Sequence, residues 1–126
     1  MNQAVIEGGR AEFALNAVKK VVKSNNEQTR KEYKSYARKF PSLAPTNGLA
    51  AAAAFAFKKG GAWGLIYGNI SDWLRYKCSF AEPTTLIEYV CSLDSDEYRV
   101  ATNEALSFFV WLSRFASGLI EGEPDD

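Results

Sequence analysis

Ten basic side chains define the chemistry this sequence can offer: Lys19, Lys20 and Lys23, then Arg30, Lys31, Lys34, Arg38 and Lys39, then the pair Lys58 and Lys59. Lysines and arginines in such runs neutralise successive phosphates and release counterions, an attraction that ignores base sequence. The bland alternative for each residue is a solvated basic face. The group, rather than any one member, points to nucleic acid. Up to Lys59 the chain has eleven bases and four acids, a formal +7, and from Gly60 onward four bases face eleven acids, a formal −7. A net charge of zero therefore conceals a dipole along the sequence. An acidic half of this kind repels nucleic acid or meets a basic neighbour.

Other chemistries are poorly supplied. The chain has no histidine, which removes the commonest general base and the Ser-His and Cys-His nucleophile arrangements. Its two cysteines, Cys78 and Cys91, cannot make a zinc site without further ligands, and buried thiols of a reducing cytosol are the expectation. No phosphate-cradling glycine loop follows a strand, and Gly60-Gly61 reads as a helix stop. Asp94, Asp96 and Glu97 could in principle hold Mg²⁺, but acids in that order suit a helix N-terminus better. No catalytic residue, metal or cofactor is expected. Neither a secretory signal nor an apolar run approaching the roughly 18 residues of a membrane span is visible, so a cytoplasmic protein without a membrane partner is expected.

The elements that must position the bases are helical. A length of 126 residues with 47% hydrophobic side chains suits one domain with a real core, so the expectation is an all-α, single-domain bundle of about six helices over 1–126, with a mobile acidic tail at 121–126. Around 8–24, Ala11, Ala14, Leu15, Val18, Val21 and Val22 share one arc, with Lys19, Lys20 and Lys23 opposite. Asn25 with Gln28 forms a candidate capping box for a second helix at about 27–40. Tyr33, Tyr36, Ala37 and Phe40 line one side of that helix, and Arg30, Lys31, Lys34 and Arg38 form a separate stripe. Pro41 is expected to end it and Pro41–Pro45 to form a stiff connection.

A third helix, capped by Thr46 or Asn47 and running to Lys59, has alanines that permit close packing and reads as central to the core. The fourth, about 62–77, buries Trp63, Ile66, Tyr67, Ile70, Trp73 and Leu74, with Gly64 and Gly68 placed to admit a neighbour. Pro83 suits the first turn of a short fifth helix. Asp94 and Glu97 mark a capping box at the start of a long sixth, buried along Tyr98, Ala101, Ala105, Phe108, Phe109, Leu112, Phe115, Ala116 and Leu119. Phe13 projects from the polar side of its helix, as an anchor either between subunits or onto a neighbouring helix.

Several blocks carry a resemblance. Phe40-Pro41-Ser42-Leu43-Ala44-Pro45-Thr46-Asn47-Gly48-Leu49 leads into alanines and Phe55, and Trp63, Leu65, Tyr67 and Trp73-Leu74 follow. Asn103-Glu104-Ala105-Leu106 then precedes Trp111-Leu112-Ser113-Arg114-Phe115-Ala116. In this order, from about Arg30 to Ala116, the chain resembles the small helical subunit of the Cmr-type, type III-B CRISPR RNA-silencing effector complex. The resemblance implies a helical bundle without enzymatic activity, stacked in several copies as an inner filament beside the backbone subunits, in contact with guide RNA and target RNA. The chain departs from the family where Ala44-Pro45 replaces a bulky aliphatic residue followed by a basic or polar one, so a phosphate contact from that position is not carried over. Thr46, Asn47 and Gly48 read as cap and turn before RNA contact. Two other readings share the helical character: the small subunit of another CRISPR effector type, and a protein adaptor that never touches RNA.

Overall fold

The computed structural model describes residues 6–122. It contains six α-helices: α1 (Arg10–Ser24), α2 (Glu27–Asn47), α3 (Leu49–Lys59), α4 (Gly61–Cys78), α5 (Leu86–Cys91) and α6 (Ser95–Leu119), after a 3-10 turn at Ile6–Gly9. No strand occurs among the described residues. The expected all-α bundle is the fold found. The acidic residues 123–126 lie outside the described residues.

The core is organised around α6, which packs on α1, α2 and α4. Its buried positions Ala101, Ala105, Phe108, Phe109, Leu112 and Ala116 recur at helical spacing, and they join buried residues of the other five helices in one hydrophobic cluster. Phe109 stacks on Phe40 of α2 at 4.6 Å between ring centroids. Phe108 stacks on Trp73 of α4 at 5.7 Å. Half-buried Phe13 of α1 completes this aromatic group, 5.1 Å from Trp73, so its partner lies within the chain. Tyr33 is fully buried, and burial pushes its phenol well above the ordinary range; it stays protonated and donates to Asn69 Oδ1.

Local chemistry sets most helix ends. At α6, Asp94 accepts from the backbone of Glu97 while Glu97 reaches back to the Asp94 N–H, the capping box expected from sequence. Thr85 and Glu88 make a second such box at α5. At α2 the cap is Asn26, which accepts from Thr29 N at 2.8 Å. Asn25, the expected cap, instead donates to Val21 O.

Five further expectations are corrected. Pro41 and Pro45 lie inside α2, which continues to Asn47. Phe40 and Ala44 are buried at helical spacing on either side of Pro41, and that burial holds the turn despite the lost N–H donors. Ser42 Oγ donates to the Lys39 carbonyl, whereas the acceptors that lose their donors to the prolines are the carbonyls of Ala37 and Pro41. Consequently Gly48, rather than Thr46 or Asn47, separates α2 from α3, at φ 88° and ψ 154°. A side chain there is strained by the positive φ, and its Cβ would crowd the Tyr98 hydroxyl at 3.0 Å, which accepts from Ala50 N. Third, α3 lies to one side of the core, packed on α2, α4 and α5, with Ala52, Ala53 and Ala56 inward and Ala51, Ala54, Phe55 and Phe57 exposed. Fourth, Gly64 and Gly68 face open space, not a neighbouring helix. Fifth, Pro83 precedes α5 across a cis bond from Glu82. Cys78 is half-buried and Cys91 exposed, both as free thiols, so the expectation of two buried thiols holds only in part.

Candidate nucleic-acid interface

The α1–α2 hairpin carries Lys19, Lys20 and Lys23 on the exposed face of α1 and half-buried Arg30 and Lys31 on the first turns of α2. Both helices approach the last turn of α6. One open groove is lined by Lys19, Lys20, Val22, Lys23 and Leu119, and the next by Val22, Arg30, Leu119 and Ile120 with Glu27 and Glu121 on its rim. The Lys31 side chain lies against Gly122. Five of the ten bases thus converge on the C-terminal end of α6, where the helix dipole favours positive charge. Partners within the chain temper rather than cancel this field: Arg30 donates to the Asn25 carbonyl, Lys31 pairs with Glu27 at 3.2 Å, and Asp72 shares a hollow with Lys20.

Lys34 is a correction to the expected stripe. It is only 6% exposed, and its ammonium donates to the Ile120 carbonyl at 3.0 Å and the Gly122 carbonyl at 2.7 Å. Both carbonyls lie just past the last turn of α6, the first on its C-cap residue, and Lys34 reaches them from one turn beyond Arg30 and Lys31. Its charge serves the fold instead of the surface.

Lys39, Lys58 and Lys59 form a second, separate group on the flank of the bundle, and Arg38 is exposed on α2 beside Lys39. A chain of aromatic rings joins Lys39 to Lys59. Lys39 Nζ lies 5.7 Å from the Tyr36 ring, Tyr36 stacks on Trp63 at 4.3 Å, Trp63 meets Phe55 edge-on at 5.1 Å, and Lys59 Nζ lies 5.8 Å from Phe55. The sequence reading did not assemble this flank. Its one local signal was two phenylalanines spaced to opposite sides of an alanine-rich helix that ends in Lys58 and Lys59.

The acids are placed at the other end of α6. Asp94, Asp96 and Glu97 are exposed around its first turn, and Glu88 of α5 is exposed nearby. The 25 residues of α6 span about 37 Å and separate these acids from the α1 lysines, although Glu27 and Glu121 lie in the groove at the basic end. Among the described residues no group of three acids or thiols is arranged to hold a metal ion.

Between these poles Glu104 ties three helices together. Arg10 Nε of α1 donates to Glu104 Oε2 at 3.0 Å and Nη2 to Oε1 at 3.2 Å, while Trp73 Nε1 of α4 donates to Oε2 at 2.8 Å. Burial alone would raise the Glu104 carboxyl; the Arg10 and Trp73 hydrogen bonds, with the charges of Arg10 and Lys77, outweigh it and hold the group below the ordinary carboxylate range. The block Asn103-Glu104-Ala105-Leu106 thereby has a structural reason. In the block that follows, Leu112 and Ala116 are buried, and Arg114 covers Trp111 at 5.6 Å.

No helix among the described residues is long and apolar enough to cross a membrane. A helical bundle with opposite charge at the two ends of its longest helix is the frame on which the comparison with known families rests. The family model described as CRISPR-associated protein (Cas_Cmr5) matches residues 6–119, and the chain belongs to that family, as a Cmr-type CRISPR-associated small subunit.

Proposed function

We propose that the protein is a non-catalytic subunit of a type III-B Cmr ribonucleoprotein effector, holding the guide RNA and target RNA region through its basic surface in antiviral defence. The observation that carries this reading is the convergence of Lys19, Lys20, Lys23, Arg30 and Lys31 on one end of α6. These groups neutralise phosphates whatever the bases are, and pairing between the two RNA strands supplies specificity. Lys39, Lys58 and Lys59 extend the same role along the flank, and Arg38 is a further candidate. The absence of histidine from the sequence supports a scaffold over a hydrolase.

Copies stack head to tail as an inner filament beside the backbone subunit, the acidic surface of one copy facing basic groups of the next that the RNA leaves uncovered. Unlike ends favour such a heterologous contact, which propagates instead of closing.

The test is RNA affinity against salt for the natural chain and for Lys19, Lys20 and Lys23 changed together to alanine. Log K falls linearly with log salt for the natural chain, and the triple variant loses about 2–3 from that slope. An identical slope in both would remove the α1 lysines from the interface, and the absence of any salt-dependent RNA binding would favour the adaptor reading.

A further inference from the structure

We infer that Phe55 and Phe57 form a stacking platform for unpaired bases, so that single-stranded RNA, and not only the phosphates of a duplex, is a ligand of the flank of this protein. The inference rests on the RNA reading above and adds to it a second kind of contact, carried by rings instead of charge.

Phe55 is 41% exposed and Phe57 63%, unusual for phenylalanine on a helix that buries only alanines and Leu49. At 100° per residue the two rings stand about 160° apart at the two edges of the solvent face of α3, whose middle is Ala51, Ala54 and Lys58, so each ring offers its own stacking surface for a separate base. The strip between the rings is therefore low and carries a positive charge. Neither ring is loose. Phe55 stands edge-on to Trp63, itself stacked on Tyr36 at an interplanar angle of 5°, and Phe57 leans on Tyr67 at 5.1 Å. A platform held in place by rings behind it loses little conformational freedom when a base settles on it.

Charge selects the occupant. Lys59 lies over Phe55, Lys58 sits on the face between the rings, and Lys39 lies over Tyr36 behind Trp63. The stretch has no acid between Glu32 and Asp72, while α5, packed on α3, adds the exposed Glu88. An apolar protein partner needs no such run of cations. Aromatic faces interleaved with cations are what single-stranded nucleic acid requires, since every base presents a π-face and every linkage a phosphate. In a fully paired duplex the base faces are covered, so the platform discriminates between strands by access.

The experiment compares a single-stranded RNA oligonucleotide with a blunt, fully paired RNA duplex of equal length, both titrated onto the full-length chain. Phe55→Ala with Phe57→Ala is expected to weaken single-strand binding at least tenfold, leaving duplex affinity within about twofold and the salt slope unchanged, because no phosphate contact is removed. Phe57→Trp restores single-strand affinity, whereas Phe57→Leu, equally apolar, does not. The far-ultraviolet spectrum and melting temperature of each variant separate lost stacking from lost folding. Equal losses on both RNAs, unchanged single-strand affinity, or full activity of Phe57→Leu would each overturn the platform. Loss of binding to other Cmr subunits with RNA affinity intact would overturn it too, by assigning the rings to a protein. The Lys19, Lys20 and Lys23 variant keeps its diminished slope in all these cases, so the platform can fail while the phosphate reading stands.

Discussion

Glu104, midway along α6, and the lysines gathered at the end of the same helix treat charge in opposite ways. Around Glu104 the donors close in on the charge: Arg10 grips both carboxylate oxygens and Trp73 adds its indole N–H. At the end of α6, Lys19, Lys20 and Lys23 are exposed on one face of α1. Lys34 sharpens the contrast, because it sits next to that open cluster yet belongs with Glu104 in kind, its ammonium occupied by two backbone carbonyls. The difference teaches that position along a basic stripe does not decide what a lysine does. What decides it is whether unsatisfied backbone or an opposite charge lies within the fold's own reach.

The comparison breaks most readily at its closed side. Glu104→Ala leaves Arg10 and the Trp73 N–H without their acceptor, and denaturant unfolding should show a loss of about 2–3 kcal/mol. Acid probes the same tie. The folded Glu104 carboxyl titrates below its unfolded value, so its contribution is complete above the unfolded carboxylate range and disappears as pH falls through the folded one. A Glu104→Gln chain should therefore lose less stability than the natural chain between neutral and acidic pH; equal losses would mean that other carboxylates govern the acid limb.

Lys34→Ala comes next. Removing a buried ammonium from two carbonyls should lower stability by about 2 kcal/mol while leaving the salt slope of RNA binding unchanged. A shallower slope would return Lys34 to the open set and erase the distinction. Smallest on stability is Lys31→Ala. Its exposed pair with Glu27 is worth about 0.3–0.5 kcal/mol, yet the salt slope should fall by about 1. That inverse pattern, little folding cost with a visible binding cost, is the signature of a charge left for a partner.

Which of these features can be read from sequence depends on how far apart the interacting residues are. The capping box of Asp94 and Glu97 is legible because both partners fall within one helical turn. The buried faces of α1, α4 and α6 follow from periodicity for the same reason, save at Leu119, which is exposed in the last turn of α6. Pro41 misleads because its local tendency to end a helix is overridden by the burial of Phe40 and Ala44, a tertiary effect. The cap supplied by Lys34 lies 86 residues from its first carbonyl, and the tie of Arg10 to Glu104 spans 94. No window along the chain contains either pair. The same holds for the flank, where Tyr36, Phe55 and Trp63 come from three helices and meet only after the bundle has formed.

The anchoring of Gly122 beneath Lys34 has a practical corollary for reagents. A fluorophore or affinity handle attached at Gly122 would stand against Lys31, next to the α1 lysines, and compete with their ligand. One attached through Cys91, near the opposite end of α6, would leave those lysines unobstructed.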